Sequence, residues 1–256
     1  MKNKKVLSSL YFCLSIVWFG LAVPYLSSSE RQGRGIVFLA IGMMWISLGL
    51  TYLAKERKGS KTIRFYNENA TQFVGTTANA DMSEARERFL SHIPEGGRIL
   101  DWGCGSGRDT LAFLQKGYQV DAVDASYEMC KLASEATGIE VQCEYFENLE
   151  PGHRYDGIWA CASLLHVELE ALPETLETAR HALKAGGVFY LSFKYGDFQG
   201  ERRGRFFTDM NEKRFEKVIR QVKRLEVKEQ WISEDVRPER ENEKWFNVLL
   251  EKQVTK

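Results

Sequence analysis

Two long apolar runs open the chain. Leu7 to Leu26 and Ile36 to Ala54 contain no charged side chain, and runs of 20 and 19 residues match the ~20 that a membrane-spanning helix needs. Neither run alternates polar and apolar as a surface helix does, and the polar stretch 27–35 between them suits a helical turn. From about Lys61 the pattern changes, and short apolar runs alternate with amphipathic stretches. Ile99-Leu100-Asp101, Tyr118 to Asp124, Tyr155 to Ala162 and Val188 to Phe193 read as strands. Helices are expected over Arg64–Phe73, from Arg108 to Leu114, and from Ala125 onward with Ser126 as N-cap. Leu225–Trp231 and Trp245–Val254 read as two further strands that complete a seven-stranded sheet. The pattern predicts an α/β domain over 61–256, with helices on both sheet faces, behind an N-terminal membrane anchor over 1–60.

Charge sharpens this division. The chain of 256 residues has 35 basic and 35 acidic side chains, a formal net charge of zero. Residues 1–60 hold eight Lys/Arg and two Asp/Glu, leaving 27 basic against 33 acidic beyond, a net of −6. An acidic domain is a poor nucleic-acid surface, because that affinity rests largely on neutralising phosphates. Lys2, Lys4 and Lys5 precede the first run, and Lys55, Arg57, Lys58 and Lys61 follow the second. The positive-inside rule then puts both ends of the hairpin, and the domain over 61–256, on the cytoplasmic side. The five cysteines form no Cys-x-x-Cys pair and the four histidines show no ligand spacing, so no metal is expected.

The chemistry is concentrated in Asp101-Trp102-Gly103-Cys104-Gly105-Ser106-Gly107, between a strand and a helix. Glycines at alternate positions let the backbone turn tightly and approach a ligand. A dinucleotide-binding turn requires Gly-x-Gly-x-x-Gly, and Arg108 stands where the third glycine belongs. Asp101 would repel a pyrophosphate and suits an amino group instead. Asp124 closes the next strand 23 residues later, near the spacing at which βαβ nucleotide folds place a carboxylate on ribose hydroxyls.

These residues resemble motif I of the class I S-adenosylmethionine (SAM) methyltransferases. Tyr155 to Ala162 and Leu183-Lys184-Ala185-Gly186-Gly187 are similar to later motifs of the same superfamily, and the resemblance runs from about Phe65 to Lys252. More loosely, Tyr155–Val167, Phe193–Gly196 and Gly204–Thr208 look like bacterial small-molecule methyltransferases of the tellurite-resistance type. The resemblance implies a Rossmann-like seven-stranded sheet and SAM as cofactor. It implies a cofactor site of Asp101, Gly103, Cys104, Gly105, Asp124, Ala125, Phe146, Glu147 and Ala160, with Phe146 on the adenine and Glu147 or Asn148 near its amine. Tyr66 and His166 are the candidate catalytic residues, and His166 reads equally as a base, an orienting group or a structural histidine. Arg202, Arg203 and Arg205 lie in a Gly-punctuated segment that reads as a lid holding an anionic acceptor or as a solvated hairpin.

The expected function is SAM-dependent methyl transfer to a small-molecule acceptor at the cytoplasmic membrane face. The alternatives are a tethered SAM-binding regulatory module without turnover, and a protein or RNA methyltransferase. No Asn-Pro-Pro-Tyr or Asp-Pro-Pro-Tyr follows the fourth strand, where amino-methylating nucleic-acid enzymes carry it.

Overall fold

The computed structural model describes the backbone of residues 2–26, 32–237, 240 and 242–254, and the side chains of 10–25, 34–50 and, within those ranges, 61 onward. Two units separate, Met1–Ser60 and Lys61–Lys256, at the boundary expected from the composition.

The first unit pairs helix α1 (Lys2–Leu26) with the front of helix α2 (Gln32–Thr77). Tyr11 stacks on Trp45, and Phe38 takes Trp18 and Tyr25 at ring separations of 5.6 and 5.3 Å. Gly42 and Gly49 make room for the rings of Phe19 and Phe12. The helical pair is therefore as expected, but the membrane spans are not. Among the described residues no helix is long and apolar enough to cross a membrane. The described side chains, 10–25 and 34–50, cover only part of the two charge-free runs. The ends of both runs, and the turn at 27–31, lie outside the described residues.

The second unit is built on one sheet. Its strands are β1 (Arg98–Trp102), β2 (Gln119–Asp124), β3 (Gln142–Cys143), β4 (Tyr155–Ala160) and β5 (Leu183–Lys194). After a separate hairpin of β6 (Gln199–Arg202) and β7 (Arg205–Thr208) come β8 (Leu225–Glu234) and β9 (Lys244–Lys252). The order is β3-β2-β1-β4-β5-β9-β8, parallel except that β9 runs antiparallel to both its neighbours. Helices α3 (Ser83–Leu90), α4 (Arg108–Gln115), α5 (Tyr127–Thr137), α6 (Leu172–Ala182) and α7 (Glu212–Ile219) surround it.

Alternation along the strands creates two cores. Leu100, Ile158, Ala160, Phe189 and Leu191 join one, while Ile99, Trp159, Val188, Tyr190 and Leu249 join the other. Trp159 lies flat on Tyr190 at 4.0 Å between centroids. Strand order reverses between β1 and β4, and open α/β sheets bind ligands at the carboxyl ends of strands beside such a switch point.

Gly157 shows how tightly the second core is packed. A Cβ there would lie 2.3 Å from Ile93 and 2.5 Å from Phe89. Overpacking of this kind costs typically ~1–3 kcal/mol. Gly157→Ala is expected to lower the urea midpoint with the m-value unchanged, and Phe89→Leu in the same chain to restore part of the loss.

Candidate active site

The turn after β1 is pressed against its surroundings. Gly103 has φ +86, and a Cβ on it would lie 2.4 Å from the Cβ of Ser163. Its N–H donates to the Val123 carbonyl at 2.8 Å, and Ser163 Oγ donates to the Trp102 carbonyl at 2.7 Å. Gly105 is the opposite case, with φ +53 and nothing within 4 Å of the Cβ position. The loop is thus tight on its protein side and open on the other, as a backbone cradle for a ligand must be.

Asp124 bridges this loop to the next helix. Its Oδ2 accepts from Gly105 N–H at 2.9 Å and its Oδ1 from Ser126 N–H at 2.8 Å. Burial raises its pKa, against the pull of those N–H groups. Ser126 caps α5, as expected, by accepting from Met129 N–H. The side chain of Asn67 then closes over the cap, its Oδ1 accepting from Ser126 Oγ at 2.8 Å and Glu128 N–H at 3.2 Å. Sequence reasoning had passed over Asn67, although it adjoins the chosen Tyr66.

Other expected cofactor residues fall into different settings. Phe146, in a single 3-10 turn, meets Trp102 edge to face at 5.1 Å and stays partly exposed. Glu147 is exposed in the same turn and Ala125 is half-buried. Cys104 contributes its backbone N–H, donated to the Val123 carbonyl, while its thiol packs inward, where burial raises its pKa. Ala160 is a correction, because its side chain is wholly buried in the core. The half-buried residues at this strand end are Cys161 and Ala162.

Asp101, 2% exposed, accepts from Thr110 Oγ1 at 2.6 Å beneath the loop. Beside it Asp109 takes Arg86 at 2.7 Å, Arg108 at 2.6 Å and the indole N–H of Trp159 at 2.9 Å. Against the opposing effect of burial, Arg108 and Arg86 hold Asp109 ionised. Burial and then that neighbouring charge push Asp101 up. Arg108 Nη1 also reaches the Thr77 carbonyl at 3.4 Å. The residue that breaks the dinucleotide motif is therefore a buried tie between α4 and the end of α2.

A second cluster stands at the same sheet edge. The part of α2 within this unit docks through Thr62 Oγ1, which accepts from Phe206 N–H, and through Lys61 paired with Glu201. Tyr66 Oη lies 2.8 Å from His166 Nε2, and His166 Nδ1 lies 2.6 Å from the Phe206 carbonyl. A carbonyl only accepts, so Nδ1 carries the proton and the bare Nε2 accepts from the phenol. Arg205 Nη1 donates to Tyr66 Oη at 3.2 Å. Its guanidinium lies 4.5 Å from the Phe65 ring and 5.1 Å from that of Phe207.

The arginine lid is a β-hairpin, and only one of its three arginines joins this cluster. Arg203 and Gly204, at φ 49 and +79, form its two-residue turn, with Arg203 exposed. Arg202 pairs with Asp209 inside the hairpin, its guanidinium over Phe198 and Phe207. Neither is placed to hold an acceptor together with Tyr66. Arg203 is thus set apart by its place in the turn, and Arg202, although opposite Arg205 across the hairpin, by its pairing with Asp209.

Residues 99–187 match the family described as a methyltransferase domain. The sheet is that of a Burkholderia thailandensis 1,6-didemethyltoxoflavin-N1-methyltransferase, solved with 1,6-didemethyltoxoflavin and S-adenosylhomocysteine. The TM-score is 0.64 at 22% identity, over 78% of this chain and 90% of that one. The chain thus matches a methyltransferase domain over 99–187 and has the fold of that solved methyltransferase. Among sequence relatives, an uncharacterized methyltransferase of Staphylococcus carnosus is 29% identical over 119 residues, 43% of this chain. A ribosomal RNA small subunit methyltransferase C of Shewanella pealeana is 28% identical over 132 residues, 46% of this chain. The chain spans 58% and 38% of these two relatives. The open face at Gly105 beside the Asp124 carboxylate fits a ligand of the kind bound in that enzyme, S-adenosylhomocysteine.

Burial, together with Arg205, lowers the pKa of His166 from 6.5 to about 4, outweighing the Phe206 carbonyl. The unfolded chain therefore binds a proton at this site before the folded one does. Stability is expected to fall as pH drops from about 6.5 towards 4. His166→Asn should flatten that slope in denaturant titrations across this range.

Proposed function

We propose that this chain is a SAM-dependent methyltransferase for a small-molecule acceptor, bound between Tyr66, His166 and Arg205. One observation carries the reading: two chemically distinct clusters meet at one sheet edge. The negative charge of Asp124 raises the pKa of the Tyr66 phenol, although burial is the larger cause and Arg205 opposes both. That supports a reading in which the hydroxyl stands between the cofactor side and the acceptor side. Asp124 is assigned to the ribose hydroxyls, the Gly103–Gly105 backbone to the methionine part and Phe146 to the adenine. SAM supplies a methyl group on a sulfur already primed to leave. The protein's work is to bind, align and exclude water, and Asn67, Tyr66 and Thr62 on one helix close over that edge. The acidic domain surface favours a small acceptor over RNA. The toxoflavin-precursor enzyme, which shares the fold, supports the same choice.

A second reading concerns residues 1–60, which we assign to membrane association with the domain on the cytoplasmic side. Among the described residues of this unit eleven large apolar side chains, Ile16, Val23, Ile36 and Val37 included, are 43–69% exposed. Soluble surfaces rarely carry so much contiguous apolar area.

Full-length protein, membrane vesicles, cell extract and methyl-labelled SAM test both readings. Label is expected in the small-molecule fraction, and protein in the vesicle pellet after a high-salt wash. Label confined to RNA or protein overturns the acceptor assignment, and protein left in the supernatant overturns the membrane assignment. Losing a charge-assisted hydrogen bond costs ~1.5–3 kcal/mol, so Asp124→Ala should weaken SAM binding about tenfold to a hundredfold in calorimetry.

A further inference from the structure

Tyr66 is bonded on both sides in a way that makes it more than a contact. Its proton points at the bare Nε2 of His166, fixed by the bond from Nδ1 to the Phe206 carbonyl. Its oxygen receives a hydrogen bond from Arg205 Nη1. A cation on the oxygen and a base on the proton both favour moving that proton to histidine. One lone pair of the phenol oxygen remains for a third partner. Arg205 cannot easily swing away, because Phe65, Phe207 and Phe73 surround its guanidinium at 4.5, 5.1 and 6.0 Å. Its Nε is buried without a hydrogen-bond partner, so ring contacts are what hold it.

We propose that Tyr66 is the general base toward the acceptor, acting through a relay in which His166 and Arg205 are positioning residues. The acceptor class follows: its methylated atom carries a proton that water does not remove at neutral pH, as in a phenol, lactam or imide, and is not a thiolate or chalcogenide anion. This rests on the acceptor site assigned above. As the acceptor atom bonds the methyl carbon, the carbon–sulfur pair leaves with the positively charged sulfur, which becomes neutral. The acceptor proton passes to Tyr66 Oη, and the phenol proton passes to His166 Nε2. The resulting imidazolium is held by the Phe206 carbonyl and discharges to water once the site opens.

The groups facing this relay oppose one another. Arg205 from β7 and Arg237 after β8 lower the Tyr66 pKa, while burial and Asp124 after β2 raise it. Burial and Arg205 keep His166 neutral with Nε2 bare and oppose a lasting imidazolium, while the Phe206 carbonyl favours one, so any proton taken is held only in passing. A docking role alone would require only the bond between helix and hairpin, with no preferred direction for its proton.

Two measurements on the full-length chain test the proposal. The four histidines, labelled with nitrogen-15 and assigned with His166→Asn, report ring protonation by NMR. One is expected to be neutral at pH 7 with Nδ1 protonated and Nε2 bare, and Tyr66→Phe should shift its Nε2 signal. An imidazolium, or a proton on Nε2, overturns the relay. Tyr66→Phe keeps the ring in its aromatic surroundings, and His166→Asn offers an amide N–H to the Phe206 carbonyl. With labelled SAM and small-molecule extract, both variants should lose about a hundredfold to ten-thousandfold in rate while keeping SAM affinity. Their residual rates should climb about tenfold per pH unit as the acceptor ionises on its own, where the wild type is flat from about pH 5.5 to 8. Residual rates that track the wild-type profile overturn the relay. No labelled small molecule with the wild type sinks the acceptor assignment itself, and leaves the NMR result to decide the direction of the hydrogen bonds.

Discussion

The close approach of Gly103 to Ser163 is the constraint on which the site depends. It brings the exits of β1 and β4 to within one missing methyl group of each other. The Gly103 and Cys104 N–H groups both reach Val123 at the end of β2, and Phe146 stands over the same point. Three strand ends and the adenine-side turn are thereby drawn into one contact. Any side chain at position 103 would separate them, and would also have to adopt a left-handed backbone. The crevice at the switch point is therefore made by the absence of an atom as much as by the residues that line it.

Around that contact the charges are sorted by depth. Asp101 and Asp109 lie underneath, with two arginines matched to the one that stays ionised. Asp124 sits at the rim, its oxygens held by backbone N–H groups. Across the edge stands Arg205 in aromatic surroundings, beside a histidine kept neutral by burial. In the proposed function a sulfonium and an ionising acceptor would meet opposite charges there.

The sheet and the cofactor turn were legible because they follow from local rules. Glycine spacing, acids at strand ends and strand-length apolar runs each have a short-range cause, and the strand order follows from right-handed crossovers. Asp124 was found for this reason, and so was the pairing of Tyr66 with His166, once the N-terminal helix was required to cover the edge. What stayed hidden depends on partners distant in sequence. Arg202 and Arg203 look equivalent to Arg205 until Asp209 engages the first and the hairpin turn exposes the second. Ala160 and Cys161 differ by one step of strand alternation, which moves one into the core and leaves the other near the site. Asn67 gives no signal without α5, whose cap it closes over.

Asp109 has a consequence for how this domain can change over time. A single carboxylate serves Arg86, Arg108 and Trp159, which come from three separate elements. Losing it leaves two cations without their counter-charge and an indole without its acceptor, all at once. Replacing either arginine alone removes part of what keeps the carboxylate ionised beside Asp101. Substitution at Asp109 is the step that passes through buried, unmatched charge, whereas Trp159 contributes only a neutral N–H. A change at Asp109 is therefore expected to require accompanying changes at Arg86 and Arg108.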